Sequence, residues 1–155
     1  MQPIGSRLGL AALVGLLCAA WLGPATALEL IRPEEAALPN LIGADLNLGF
    51  RGVTRGPKVL VVSPAPDSGM VRSPLKLRLK FEVHGGASID PQLVKIIYLK
   101  NPSINLTQRI GDLIKPDGLE VDGAQAPPGT HYIRVEVRDD AGLVGSTTFA
   151  LMVAN

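Results

Sequence analysis

The sequence predicts an all-β protein: one antiparallel β-sandwich of about seven short strands. Three observations carry this. Residues Leu75 to Val83 alternate apolar and charged without a break. Further short apolar runs follow at intervals of roughly 8–12 residues, separated by clusters of Gly, Pro, Asp and Ser. No stretch after residue 28 sustains the 3.6-residue period of a long amphipathic helix.

The chain opens with MQPIGSRLGLAALVGLLCAAWLGPATALEL. Arg7 supplies a basic start, Leu8 to Leu22 an apolar core, and Pro24 a break before Ala25-Thr26-Ala27. That pattern predicts a signal peptide over 1–27 with cleavage after Ala27, and a periplasmic or secreted product. The apolar run is shorter than the roughly 20 residues a spanning helix needs. Cys18 is preceded by Leu16 and Leu17, which does not suit a lipid-attachment site. Removing 1–27 takes away the single cysteine, and with it disulfides, thiolate metal sites and cysteine catalysis. It also removes Arg7, one of 15 basic residues, so the rest balance the 14 acidic ones. A nucleic-acid binder would need a surplus of Lys and Arg to displace counterions.

Residues 28–57 contain Pro33, Pro39 and Pro57, several glycines and no sustained period. They read as an extended arm or linker, with a helical turn from Pro33 to Leu38 favoured by Glu34 and Glu35 near its start. The alternative is that "LNLGF", residues 46–50, adds a strand to a sheet of its own chain or of a partner.

The sandwich domain is expected over 58–155. Val59 to Val62 is a short apolar run closed by the turn formers SPAPDSG. In the next strand Leu75, Leu77, Leu79, Phe81 and Val83 share one face; Lys76, Arg78, Lys80 and Glu82 share the other. Val94 to Leu99 is apolar on both faces. Ile104 to Ile110 reads as another alternating strand. "KPDG" is a turn, and Leu119 with Val121 marks a short strand. Ile133, Val135 and Val137 alternate with Arg134, Glu136 and Arg138. "DDAG" turns the chain back, and Phe149, Leu151 and Val153 finish the sheet.

Candidate sites are few. His131 has the parity of Ile133 and Val135, so it points inward at the start of its strand. A sandwich often keeps a tyrosine there that bonds upstream backbone, and a histidine can serve in its place. His84 has the parity of Lys80 and Glu82 and is expected at an exposed strand end beside Gly85 and Gly86. The two histidines are the metal-ligand candidates, together with Asp67, Asp90 or Asp139, but no H-x-x-x-H, C-x-x-C or acidic calcium-loop spacing supports them. Gly86-Ala87-Ser88 is not followed by the second glycine of a nucleophile elbow. No catalytic residue and no cofactor is therefore expected. The row Lys76, Arg78, Lys80 is the one surface feature that suggests binding, to an acidic partner, a lipid headgroup or a wall polymer. Its structural counterpart is a solvated face or an edge strand protected by charge.

The landmarks "VVSPAPDSGMVRSPLKLRLKFEV" and "PPGTHYIRVEVRDDAGLVGSTTFALMV" resemble bacterial Ig-like modules of exported proteins, and the periplasmic copper-carrier family CopC. The resemblance rests on Pro66, Gly69, Val71 and Pro74, then Pro128, Gly129, Thr130, Phe149 and Val153, and covers about residues 59–153. It implies an Ig-like sandwich. The copper carriers hold metal with a histidine at the mature N-terminus and another in the turn before the last strand. Here the mature chain would begin at Leu28, and the turn reads Asp140-Ala141-Gly142-Leu143. Both ligands are missing, so the resemblance implies the fold without the metal.

The expectation is thus a non-catalytic accessory or interaction module of the cell envelope, with an envelope protein or polymer as partner and no nucleic acid. A divergent copper-binding role through His84 and His131 is the alternative.

Overall fold

The computed structural model describes residues 28–41 and 56–155. The expected signal peptide and the "LNLGF" segment lie outside the described residues. Among the described residues eight strands form: β1 (Lys58–Ser63), β2 (Leu75–Glu82), β3 (Lys95–Tyr98), β4 (Ile104–Asn105), β5 (Ile114–Lys115), β6 (Gly118–Ala124), β7 (Gly129–Arg138) and β8 (Val144–Val153). They make two four-stranded sheets, ordered β1-β2-β6-β5 and β4-β3-β7-β8. Every neighbouring pair in both is antiparallel.

Alternation fixes which way each strand faces. Leu75, Leu77, Leu79 and Phe81 of β2 are buried while Lys76, Arg78 and Lys80 are exposed. Leu119 and Val121 of β6 join them from the same sheet, and Ile133, Val135 and Val137 of β7 with Leu151 and Val153 of β8 complete the core from the other. The core is almost wholly aliphatic, so its stability comes from removing apolar surface from water. Tyr98 is its largest fully buried side chain.

Two segments depart from the sequence expectation. Only Ile104 and Asn105 of the expected strand 104–110 pair with β3. Asn105 Oδ1 then accepts the Thr107 N–H at 2.9 Å, and Thr107 Oγ1 takes the Ile96 N–H at 2.8 Å, ending the ladder. A helical turn, α2 (Thr107–Ile110), follows. Leu106 and Ile110, four apart and both fully buried, fit a helical turn as well as a strand.

The second departure concerns the arm. Residues 28–41 are packed on the sandwich, because Leu30 and Ile31 find a gap in the core and become 0% and 1% exposed. The segment holds a short helix, α1 (Pro33–Ala36). Its start bonds the end of β6, with the Leu30 and Ile31 N–H groups both donating to the Gln125 carbonyl at 2.9 and 3.1 Å. Its end reaches past β3, where the Leu41 N–H donates to Leu99 O at 3.1 Å. It therefore straps the two sheets together.

Close approach of backbones decides two glycines. A Cβ on Gly118, whose φ is +156°, would lie 2.2 Å from the Leu79 carbonyl oxygen. One on Gly145 would lie 1.7 Å from Pro57 O, where β8 crosses the start of β1.

Candidate functional site

The strongest surface feature is the outer face of the first sheet. β2 is central in that sheet and not an edge, so its cations have neighbours on both sides. On one side β6 turns Glu120 and Asp122 outward. Lys76 Nζ stands 2.7 Å from Glu120 Oε1 and 3.0 Å from Asp122 Oδ1, and Arg78 Nη2 bonds the same Glu120 oxygen. Lys80 Nζ lies 3.2 Å from Glu82 along its own strand. The expected bare cation row is thus half of a ladder of opposite charges. Two cations hold the Glu120 carboxyl down at about 2, Lys76 first and Arg78 second. The same carboxylates raise Lys76 above its usual value, Glu120 chiefly. All of these side chains remain open to water, so the pairs screen one another without closing the face.

On the other side of β2, strand β1 turns Lys58, Leu60 and Val62 outward. Leu60 and Val62 are 38% and 45% exposed, and Leu60 stands in register with Lys80. The face therefore carries an aliphatic strip on β1, a cationic row on β2 and an anionic row on β6.

The two histidines are far apart in role and place. His131, 2% exposed, sits near the start of β7. Its Nε2 lies 2.8 Å from Pro127 O, and its Nδ1 lies 2.8 Å from the Tyr98 hydroxyl. A carbonyl only accepts, so Nε2 carries the proton and Nδ1 accepts from Tyr98. Burial lowers the His131 pKa, the Pro127 carbonyl opposes that, and the nearby Lys100 charge adds to it. Both ring nitrogens are committed to the fold. His84 is exposed in the loop after β2. That loop meets the far end of β7, through the bridge of Ile89 to Asp139. Asp139 is eight residue steps along the extended chain from His131, about 26 Å. The structure does not bring the two histidines together. Among the described residues no three His, Cys, Asp or Glu side chains gather as a metal would need.

A second charged cluster lies where the strap docks, and sequence reasoning did not find it. Arg109 of α2 forks onto both carboxylate oxygens of Glu35, with Nη1 at 2.8 Å from Oε2, and Nη1 also donates to Leu30 O at 2.9 Å. The Arg32 N–H adds a bond to the same carboxylate at 3.0 Å. Arg109 is the main reason the Glu35 pKa is lowered, against the opposing effect of burial. Lys100, buried in spite of its charge, donates to Ala36 O and Leu38 O, each at 2.8 Å. Its Nζ also lies 5.2 Å from the centre of the Tyr98 ring. The only signal in the sequence was the apolar run Leu28, Leu30, Ile31 beside Glu35.

Fold and geometry together define an all-β sandwich whose buried polar groups serve its packing and whose first sheet carries paired charges beside exposed aliphatic side chains on its outer face. No helix among the described residues is long and apolar enough to cross a membrane. No protein-family model and no curated protein matches the chain. Among solved structures it is similar to CopC from Methylosinus trichosporium OB3b, with a TM-score of 0.42 and 18% identity over 63% of this chain and 94% of that one.

Proposed function

We propose that this chain is a non-catalytic, Ig-like module of the periplasm or cell exterior that docks an envelope protein or polymer on the outer face of its first sheet. The observation that carries the reading is the striped face itself: Leu60 and Val62 exposed beside the Lys76, Arg78, Lys80 row and its Glu120 and Asp122 partners. Exposed aliphatic side chains next to half-exposed charges suit a partner that buries the first and matches the second. The sheet order supports an Ig-like build, since it repeats the ABED and C′CFG arrangement of that sandwich. The export pattern of residues 1–27 supports the location.

The test is a photo-crosslinking residue at Val62 or Lys80 in living cells, read by mass spectrometry. One dominant adduct, lost when Arg78→Glu is added and the fold is intact by circular dichroism, is the expected result. A folded protein that gives no adduct from either position overturns the reading.

A further inference from the structure

We propose that the strap is an acid-released latch: a second proton on His131 loosens residues 28–41 from the sandwich while the sheets keep their own pairing. A line of buried polar contacts joins the two. His131 Nε2 meets Pro127 O at 2.8 Å, and its Nδ1 meets the Tyr98 hydroxyl at 2.8 Å. Lys100 Nζ lies 5.2 Å from the centre of the Tyr98 ring. The same ammonium donates to Ala36 O and Leu38 O of the strap. None of His131, Tyr98 and Lys100 is more than 4% exposed. The strap also reaches the other end of the line, where its Ile31 and Pro33 share a cleft with Pro127.

At neutral pH every hydrogen on this line has a place. Nε2–H donates to Pro127 O, and the Tyr98 O–H donates to Nδ1. Burial, and then the Glu35 charge, push the Tyr98 hydroxyl up to about 12, so it keeps its proton throughout. A proton arriving from solvent must therefore settle on Nδ1. Nδ1 then changes from acceptor to donor. The Tyr98 oxygen has to accept, and its own hydrogen loses its bond inside a buried site. The new imidazolium also shares that interior with the Lys100 ammonium, and like charges there disfavour one another.

The charged groups around the line do not offset it. Glu35 of the strap is the carboxylate felt at Tyr98, and Arg109 of α2 already forks onto it. Glu29 and Arg32, at the start of the strap, pair with each other and are half exposed. β8 sets Leu151 opposite His131 and carries no titratable side chain. The run Ala124 to Gly129, which leads into β7, carries none either. β2 turns its charges to the outer face, and Arg72, in the loop before it, is exposed. Opening the strap relieves both penalties: the Lys100 ammonium moves toward water, and water reaches Tyr98 and His131. β3 and β7 stay joined by their own backbone pairing. Linkage makes the effect reciprocal, so a loosened strap must also make His131 easier to protonate.

The experiment is amide hydrogen exchange on protein expressed from the full coding sequence, at pH 7.5 and 5.5, with each rate divided by the intrinsic rate at that pH. The reporters are Leu30, Ile31 and Leu41, whose N–H groups fasten the strap, and the β7 amides are the reference. The usual histidine value of 6.5 lies between the two conditions, and both lie above the usual carboxylate value of 4.5 for Glu35. Strap protection is expected to fall by up to about ten-fold on acidification, with the strap exchanging faster than β7. In His131→Phe that fall disappears. Wild-type strap protection that does not change, a fall of equal size in His131→Phe, or a strap that exchanges no faster than β7 at pH 5.5 overturns the proposal. The reciprocal measurement leaves His131 in place: in Arg109→Ala the His131 ring, followed by its NMR shift, should titrate closer to 6.5 than in the wild type. A titration that does not move overturns the link between histidine and strap.

Discussion

Tyr98 donates its hydroxyl proton to Nδ1 of His131 across 2.8 Å, in a site where neither residue is more than 2% exposed. The rings meet edge to face, with centroids 5.6 Å apart. The bond joins β3 to β7, while the other nitrogen of His131 holds the Pro127 carbonyl ahead of β7. One imidazole thus ties a strand pair and the turn that feeds it. His131→Ala removes the ring, leaves a cavity and orphans the Tyr98 hydroxyl. We expect a loss of about 2–4 kcal/mol. Denaturant unfolding measures it, and crosslinking at low temperature should be unchanged if the docking face is on the other sheet.

The same group sets a pH dependence. Burial holds His131 below its usual 6.5. As pH falls through 6.5 the unfolded chain takes up a proton that the folded chain refuses, so stability is full above that pH and declines below it. Unfolding free energies at pH 8, 7, 6 and 5 should show this slope in the wild type. His131→Phe should flatten it. An unchanged slope in that variant would place its origin elsewhere.

The Glu35–Arg109 pair holds the strap. Both side chains are mostly shielded, at 12% and 19% exposure, so losing one partner leaves a charge poorly compensated. Arg109→Ala should cost about 1–3 kcal/mol, between the exposed and the buried limits. The local signature is faster hydrogen exchange at the Leu30, Ile31 and Leu41 amides than in the centre of β7. Because the Glu35 pKa is lowered, this contribution is present above the usual carboxylate value of 4.5 and is lost as pH falls through the folded one.

How much of this was legible beforehand depended on whether the cause was local. The β2 pattern was readable because a period of two reports which face meets the core. The inward aim of His131 followed from the same parity. The strap was not readable: Glu35 is 74 positions from Arg109, and nothing near residue 35 announces that partner. The charge ladder failed for the same reason, since Lys76 and Arg78 show their charge in sequence but Glu120 comes beside them only when β6 pairs with β2. The strand expected over 104–110 failed differently. Leu106 and Ile110 satisfy both periods, and the side-chain bonds of Asn105 and Thr107 decide for the helical turn.

Glycine 118 gives a steric test. Gly118→Ala adds a methyl 2.2 Å from the Leu79 carbonyl at a φ of +156°, so backbone must move. We expect a loss of about 2 kcal/mol or more, seen as a lower denaturation midpoint. Gly123→Ala is the control, with its positive φ but no atom within 4 Å, and should cost less.

The strap also bears on the order in which the molecule comes together. Synthesis runs from the N-terminus, so Leu30 and Ile31 appear before the strands of the sandwich, but their place in the core needs Arg109, Gln125 and the strands around them. Contacts of such long separation form slowly, because a large loop must close before they contribute. Until then a greasy segment waits beside an unfinished core. We therefore expect the nascent domain to be most open to chaperones and proteases between the emergence of the strap and that of β8, with the docking of the strap late in assembly.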